Sequence, residues 1–173
     1  MNGLVLLLAQ GFGSGRAPFA PGTFGSLVGL LWFFLLLEVP SGLFYVGALV
    51  FGIALSVLIG TQAEKLLGEK DPGSVVIDEI VAVPLCFASW VFILFFEEGR
   101  WPSAEYFFRL KTWPWTLGVF VAFRFFDVVK PWPVRQSQAL PRGWGVTVDD
   151  VLAALYVNLC VLVVFAGRSL LSP

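Results

Sequence analysis

Three charged side chains stand three residues apart in the otherwise apolar stretch Phe123–Pro133, whose sequence is FRFFDVVKPWP: Arg124, Asp127 and Lys130. Residues at this spacing lie on one side of a helix. Each charge inside a membrane helix costs at least about 2.5–3.5 kcal/mol, so the stripe is a candidate functional site. Arg124 and Lys130 are suited to phosphate oxygens, and Asp127 is suited to a metal ion. A structural ion pair between Arg124 and Asp127 is the alternative.

Four more carboxylates lie at the starts of apolar segments: Asp78, Glu79, Asp149 and Asp150. Carboxylates crowded in a low dielectric repel one another unless they bind protons or share a cation. Mg²⁺ takes oxygen ligands and would relieve this repulsion. Together with Asp127, these residues predict a Mg²⁺ site.

Each of these carboxylates also has a purely structural interpretation. Thr147-Val-Asp149-Asp150 fits a capping box at the start of a helix. Asp78 and Glu79 could favour the positive end of a helix. Adjacent residues on a helix diverge by about 100°, so only one of that pair need face a site.

Residues 11–26, GFGSGRAPFAPGTFGS, are dense in Gly and Pro and predict irregular backbone with free N–H groups. Thr23 is the expected N-cap of the next helix, whose N-terminus would attract phosphate. Arg16, Thr23, Gly25 and Ser26 are therefore candidate phosphate-binding residues. No Gly-Lys-Ser/Thr of a Walker A loop follows, and a tight turn is the alternative.

The residues that are missing exclude several kinds of chemistry. The chain has no His, which excludes a His nucleophile, a His general base and His-ligated zinc. Cys86 and Cys160 lie in apolar runs, and neither is followed by an Arg six residues later, as a Cys-based phosphatase loop requires. No basic run indicates nucleic-acid binding. The chemistry must come from carboxylates, hydroxyls, Arg and Lys, with or without a metal ion.

The composition places these groups in a membrane. The chain is 58% hydrophobic and 13% charged with mean hydropathy +0.85, whereas soluble domains carry about 25% charged residues. We therefore predict one all-α integral membrane domain, residues 1–173, with about five transmembrane helices. Residues Gly3–Ala9 are too few to cross and predict an interfacial or re-entrant segment. The five apolar segments are Ser26–Leu37, Gly42–Leu58, Val75–Phe96, Trp113–Val129 and Val148–Ala166.

Five crossings would bring the polar stretches to one face of the membrane. Residues 11–26, 64–79, 124–142 and 147–150 would then lie on the same side. Outside the helices, that side carries six Lys or Arg residues and the other carries four. The positive-inside rule therefore predicts, from a small difference, that the site faces the cytoplasm.

Five stretches together resemble one known family. They are GFGSG (11–15), APGTFGSL (20–27), DPGSVVIDE (71–79), FRFFDVVKPWP (123–133) and DD (149–150). Their order and nearly full coverage of the chain resemble the phosphatidylglycerophosphatase A family. Two small residues depart from its pattern, since Ala82 and Ala154 stand where the family has Gly.

The resemblance implies a Mg²⁺-dependent phosphatase in a bacterial inner membrane. Its membrane lipid substrate would be phosphatidylglycerophosphate, and its products phosphatidylglycerol and inorganic phosphate. We expect Asp78, Asp127, Arg124 and Lys130 to be catalytic. The expected metal ligands are Asp78, Glu79, Asp127, Asp149 and Asp150. The expected substrate-binding residues are Arg16, Thr23, Gly25, Ser26, Arg124 and Lys130.

The attacking group and the class of protein have alternatives at this stage. Either water or an Asp side chain could attack phosphorus, and the absence of an Asp-x-Asp-x-Thr signature favours water. A small transporter could use the same carboxylates to relay protons or cations. A phosphatidyl transferase and a non-catalytic membrane scaffold are the other candidate classes.

Overall fold

The computed structural model describes residues 2–171. No β-strand occurs among these residues, which confirms the predicted all-α class. The helices in chain order are α1 Asn2–Ala9, a 3-10 helix Gly11–Arg16, α2 Pro21–Leu37, α3 Gly42–Leu67, α4 Ile77–Cys86, α5 Ala88–Glu98, α6 Ala104–Phe108, α7 Trp113–Val129, α8 Val134–Ser137 and α9 Gly143–Leu171.

Three helical stretches are long and apolar enough to cross a bilayer. They are α3, the stretch Ile77–Glu98 formed by α4 and α5, and Gly143–Leu170 of α9. Helix α2 is apolar but has only 17 residues, or about 25 Å against about 30 Å of hydrocarbon. The protein is therefore a membrane protein. Helix α1 is shorter still and packs its Val5 and Leu8 in a cluster with Ile59 and Ala63 of α3.

Several predicted helix boundaries are wrong. Helix α2 begins at Pro21, before Thr23, and its N-cap is Ala20 in the left-handed conformation. Proline is favoured in the first turn of a helix because its missing N–H needs no partner there. The helix therefore starts at Pro21, and Thr23 lies within its first turn and is not the N-cap. Helix α9 begins at Gly143. Thr147 therefore lies inside the helix, where its Oγ1 is 2.8 Å from Ser56 Oγ, and the capping box is absent.

The predicted segment Val75–Phe96 is interrupted between α4 and α5. Pro84 lies within α4, and a proline removes one backbone hydrogen bond and crowds the preceding turn. Two carbonyls at the break accept hydrogen bonds from side chains. Tyr45 Oη donates to Pro84 O at 2.7 Å, and Asn158 Nδ2 donates to Leu85 O at 2.7 Å. Asn158 Oδ1 also accepts from Ser89 N at 2.8 Å. Two buried polar side chains thus stabilise the break.

The long helices alternate in direction and bring five helix ends together. A Cβ at Gly22, at the start of α2, would meet Glu79 at the start of α4. Gly143, at the start of α9, donates its N–H to Thr61 of α3 at 3.2 Å. Lys130, after the end of α7, hydrogen bonds Asp149 of α9. We call this end of the bundle the polar end.

The opposite half of the bundle is held by packed aromatic rings. Phe33 of α2 stacks on Phe87 with ring centroids 4.2 Å apart, and Phe107 packs edge-on against Phe33 at 5.0 Å. Trp90 packs against the same Phe107 at 5.0 Å. Such edge-to-face and stacked pairs add about 0.5–1.5 kcal/mol each beyond their buried area. These contacts join α2 to α5 and α6.

Small residues let α2 approach α4 closely. A Cβ at Gly29 would lie 2.9 Å from the carbonyl oxygen of Ile80 and 2.9 Å from Val83 Cβ. Neither contact can be relieved by rotating a flexible side chain, because one atom is backbone and the other is a Cβ. The position of α2 beside α4 therefore depends on the absence of a side chain at Gly29.

Replacing Gly29 by Ala should lower stability. Overpacking costs about 1–3 kcal/mol, which exceeds the gain of up to about 1 kcal/mol in helix propensity. The net loss should appear as a lower midpoint of thermal unfolding in detergent. Gly47→Ala is the matched control, because a Cβ at Gly47 meets nothing within 4 Å. A Gly29→Ala midpoint at or above that of Gly47→Ala would contradict this packing.

Candidate functional site

Three carboxylates meet at the polar end and form what we call the acidic cluster: Asp78, Glu79 and Asp150. One oxygen from each lies within 4.8 Å of the others. Asp78 and Asp150 are buried, with 4% and 3% exposure. Asp78 and Glu79 are both in the first turn of α4, while Asp150 comes from α9. Asp78 and Glu79 therefore both contribute an oxygen to the cluster, although adjacent residues of a helix need not face the same site.

Two oxygens of the acidic cluster have no hydrogen-bond partner among the described residues. They are Asp78 Oδ1 and Glu79 Oε2, and both are buried. A buried unpaired carboxylate oxygen is costly because it has lost its water. Mg²⁺ prefers oxygen ligands and usually binds through one or two carboxylates and several waters. The donor set and the unpaired oxygens therefore fit a hard divalent cation.

An ion-paired stripe runs beside the acidic cluster. Arg124 Nη1 lies 2.8 Å from Asp127 Oδ2 and 3.8 Å from Glu79 Oε1. Lys130 Nζ lies 3.8 Å from Asp127 Oδ1 and also contacts Asp149 Oδ2. The cations therefore alternate with carboxylates drawn from α4, α7 and α9, and Arg124 and Lys130 link them.

Lys130 is held in its charged form by this setting. Partial burial by itself lowers its pKa, but the hydrogen bond and charge of Asp149, followed by the charge of Asp127, raise the pKa above its ordinary value. Lys130 also ends α7 in the left-handed conformation, with φ 49°. Its ammonium group is therefore available at neutral pH as a fixed positive charge.

Helix α2 supplies an uncharged wall to the site. Ser26 is fully buried, donates to Gly22 O at 2.8 Å and accepts from Arg124 Nη1 at 3.2 Å. A Cβ at Gly22 would lie 2.2 Å from Glu79 Oε1 and 3.0 Å from Arg124 Nη2. Gly22 therefore leaves the room in which Glu79 and Arg124 meet the start of α2.

The Gly-rich stretch lies against the loop that leads into α4. A Cβ at Gly15 would lie 2.1 Å from Ser74 O. Val76 N donates to Ala9 O at 2.8 Å, and Gln10 Nε2 donates to Ser74 Oγ at 3.3 Å. Residues 11–15 therefore help hold in place the loop that precedes Asp78 and Glu79.

The residues predicted from the sequence occupy different positions in this arrangement. Asp78, Glu79 and Asp150 form the acidic cluster, and Asp127 and Asp149 are ion-paired with Arg124 and Lys130. Ser26 contacts Arg124 directly. Gly25 packs instead on Val76, whose Cβ lies 2.6 Å from a Cβ built at Gly25. Thr23 is half-buried in the first turn of α2. Arg16 is exposed and donates its Nε to Gln10 Oε1 at 2.7 Å.

The part of the chain that contains this site matches a known protein family. The family model described as phosphatidylglycerophosphatase A matches residues 7–165. This match covers the 3-10 helix, the acidic cluster and the ion-paired stripe. The chain belongs to the phosphatidylglycerophosphatase A family. This membership confirms the resemblance and the predicted class of activity, that of a lipid phosphatase in phospholipid biosynthesis.

Three relatives show the same similarity over most of their length. A Haemophilus influenzae protein named phosphatidylglycerophosphatase A is 40% identical, over 92% of this chain and 86% of the relative. An Escherichia coli protein with the same name is 33% identical, over 86% of this chain and 76% of the relative. A Bacteroides thetaiotaomicron protein, provisionally named a phosphatidylinositol-3-phosphatase, is 35% identical over 88% of each chain. No solved structure matches the chain.

Gly22 is the site residue that the sequence did not single out. It lies within the APGTFGSL motif, where Thr23, Gly25 and Ser26 looked more suited to phosphate. A glycine at the second position of a helix, immediately after its N1 proline, is a weak signal of close approach to another element. Only the tertiary contact with Glu79 and Arg124 shows its role.

Removing the charge of Lys130 should destabilise the polar end. Lys130→Met leaves Asp149, which is almost fully buried, without its cation. Breaking a fully buried pair costs about 3–5 kcal/mol, and because Lys130 is 24% exposed we expect about 2 kcal/mol. Thermal unfolding in detergent measures this loss. Lys65→Met, at an exposed position of α3, should change stability by less than about 0.5 kcal/mol. Equal midpoints for the two variants would refute the pairing.

Proposed function

We propose that the protein removes the terminal phosphate of phosphatidylglycerophosphate at the acidic cluster, with Mg²⁺ as its cofactor. One observation carries the assignment of the site: among the described residues, a buried oxygen of Asp78 and one of Glu79 have no hydrogen-bond partner, and the other oxygen of Glu79 lies 3.8 Å from Arg124 Nη1. An anionic cluster alone would repel a phosphorylated lipid. With a divalent cation bound and with Arg124 and Lys130 alongside, the same end of the bundle attracts it.

The proposed Mg²⁺ ligands are the carboxylates of Asp78, Glu79 and Asp150. When bound, Mg²⁺ would supply Lewis-acid stabilisation of the negative charge that develops on the phosphoryl group. The helix positions serve this role, because two ligands come from the first turn of α4 and one from α9. Asp127 and Asp149 are placed to hold Arg124 and Lys130 beside the cation.

Arg124 is the proposed phosphate anchor. Each described ion pair and hydrogen bond of its guanidinium uses Nη1, which contacts Asp127, Glu79 and Ser26. Its Nη2 lies beside Gly22, at the N-terminus of α2. A guanidinium held on one side can offer its other donors to two phosphate oxygens. The positive end of the α2 helix dipole favours an anion at the same position.

Lys130 is the proposed second cation for the phosphate. Its charge is retained by Asp149 and Asp127, so it can offset charge on the phosphoryl oxygens in the transition state. Because the chain has no His, a carboxylate of this site is the proposed proton acceptor for the attacking water. The acyl chains of the substrate would remain in the surrounding lipid.

The membrane arrangement is also part of the proposal. The alternating helix directions support five spans, in which α2 and α7 cross as well as the three longer stretches. Helices α2 and α7 have 17 residues each, so local thinning of the bilayer would accompany them. The polar end would face the cytoplasm of a bacterial inner membrane, since it carries more Lys and Arg than the other end. The whole chain would form one membrane domain.

Phosphate release in detergent tests the acidic cluster. We expect wild type to be active on phosphatidylglycerophosphate with Mg²⁺ and inactive in EDTA. Asp78→Asn and Asp150→Asn should each lose on the order of 100-fold in rate, because removing a ligand charge weakens Mg²⁺ binding. Glu69→Gln removes an exposed carboxylate and should leave the rate unchanged. Phosphatidylinositol 3-phosphate, tried in parallel, reports head-group specificity.

The midpoint of thermal unfolding, measured on the same proteins, distinguishes a loss of Mg²⁺ binding from a loss of catalysis alone. Mg²⁺ should raise the unfolding midpoint of wild type, since a ligand that binds only the folded state stabilises it. It should not raise the midpoint of Asp150→Asn. Full activity in EDTA, or an equal Mg²⁺ shift in both proteins, would rule out the proposed site.

Cysteine labelling tests the orientation in the membrane. Single cysteines would be introduced at Glu69, on the polar end, and at Arg100, on the opposite end, in a Cys160→Ser background. Both native residues are exposed, and the remaining Cys86 is buried. A membrane-impermeant maleimide should label only Arg100→Cys in intact spheroplasts and only Glu69→Cys in inverted vesicles. The reverse pattern would place the site on the periplasmic face.

A further inference from the structure

A cavity lies in the half of the bundle opposite the acidic cluster. Its volume is about 790 Å³, within the range of about 300–1,000 Å³ for small-molecule sites. Its walls come from α5, α6 and the neighbouring halves of α7 and α9. Trp115 of its lining is 15 residues along the chain from Lys130, or about 22 Å of helix. The mouth of the cavity is therefore distant from the candidate active site, while its inner end reaches Ala122, two residues before Arg124.

The walls and the rim of this cavity differ in chemistry. Leu94, Val119, Val161 and Phe165 are among the apolar wall residues. Charged residues gather where α5 ends, α7 begins and α9 ends. The charged lining residues are Glu97, Glu98, Arg109, Lys111 and Arg168. An apolar pocket with a charged mouth matches a ligand that has a hydrocarbon body and a charged head.

The balance of charge at the rim is positive. Glu98 is neutralised by Arg100, whose Nε lies 3.0 Å from its Oε2. Arg109 has only a loose, exposed pair with Glu105 at 4.0 Å. The guanidinium carbon of Arg168 lies 4.4 Å from the centre of the Trp115 ring, and this stacking contact uses none of the N–H donors of Arg168. Three lining cations face the two lining carboxylates Glu97 and Glu98, so the rim carries a net charge of +1 and favours an anionic head group.

Trp90 is a buried residue with a polar atom in the wall of the cavity. Its ring lines the cavity, and the residue is only 4% exposed. Its Nε1 has no acceptor among the described residues. A buried indole N–H normally has a hydrogen-bond partner. This atom has almost no accessible surface, so a ligand in the cavity would reach it only after the ring moves.

The rim also has the residues expected at a membrane surface. Trp115 and Tyr106 line the cavity, and Trp113 begins α7 nearby. Tryptophan and tyrosine concentrate at the level of lipid head groups, as do Lys and Arg at helix ends. The mouth of the cavity therefore lies where a phospholipid head group would be, and the apolar walls lie where its chains would be.

We propose that this cavity binds one anionic phospholipid of the leaflet opposite the acidic cluster. The phosphate would lie against Arg109, Lys111 and Arg168, with an acyl chain along the apolar walls. An apolar protein helix fits less well, because it would bury these cations without supplying anionic partners. The proposal concerns binding alone and does not depend on the reaction at the polar end.

Cys160 offers a built-in probe of occupancy. It lines the cavity and is exposed, whereas Cys86 is 1% exposed. Labelling of Cys160 by a small maleimide would be followed in detergent, with added phosphatidylglycerol or phosphatidylcholine at equal mole fraction. We expect phosphatidylglycerol to slow labelling severalfold and phosphatidylcholine to have little effect. Native mass spectrometry should show one retained phosphatidylglycerol per chain.

Two variants test where the lipid lies. Each interfacial cation contributes about fivefold to affinity for an anionic lipid, so Arg109→Gln with Lys111→Gln should raise the half-protecting lipid concentration roughly 25-fold. Lys65→Gln with Arg135→Gln changes two exposed cations elsewhere and should have no effect. Gly118→Leu places an apolar side chain in the cavity, where a Cβ meets nothing within 4 Å. It should abolish retention of the lipid.

Three results would overturn the proposal. Equal protection by both lipids would mean that any acyl chain fills the cavity. Protection that rises with protein concentration and needs no lipid would indicate an interface between two copies of the chain. Unchanged labelling in every lipid would mean that the cavity does not bind one.

Discussion

Repulsion among crowded carboxylates is the constraint on which the polar end depends. Two unit charges about 4.8 Å apart, the limit of the acidic cluster, repel by about 3 kcal/mol at an effective dielectric of 20. Asp78, Glu79 and Asp150 face this repulsion in a buried setting, so the fold must bring compensating charge. Arg124 and Lys130 supply part of it through the ion-paired stripe. The unpaired oxygens of Asp78 and Glu79 show where compensation is incomplete, and a divalent cation would complete it.

This compensation requires several helix ends to lie close together. The side chains that meet come from four helices, and two of those contacts depend on small residues. Gly22 admits Glu79 and Arg124, and Gly29 lets α2 lie against Ile80. A larger residue at either position would separate α2 from α4 and move Ser26 away from Arg124. The break between α4 and α5 lies away from this region, where Tyr45 and Asn158 donate to the carbonyls of Pro84 and Leu85.

The two ends of the bundle use opposite arrangements of the same residue types. At the polar end, charges are buried and paired, and the apolar helices leave a site for a hydrophilic head group. At the opposite end, cations stay at the rim and stack on aromatic rings, as Arg168 does on Trp115. The cavity between α5, α7 and α9 is enclosed by apolar walls there. A lipid enzyme thus presents one surface that fits chemistry on a phosphorylated head group and another that fits binding of an intact lipid.

The sequence by itself determined the all-α membrane class, the bounds of α7 and the identity of the charged residues, because composition, hydropathy and spacing along one helix are local properties. It also indicated the phosphatase family through the FRFFDVVKPWP stretch. Spacing also allowed the ion pair between Arg124 and Asp127, which the structure contains. The partners that lie far apart in sequence were decided only by the tertiary structure. Thr147 fitted a capping motif, but its hydroxyl is hydrogen bonded to that of Ser56. Arg16 was a candidate for binding phosphate, but its guanidinium donates to Gln10. Whether Asp150 joins Asp78 depends on how α9 lies against α4, which short-range sequence patterns do not specify.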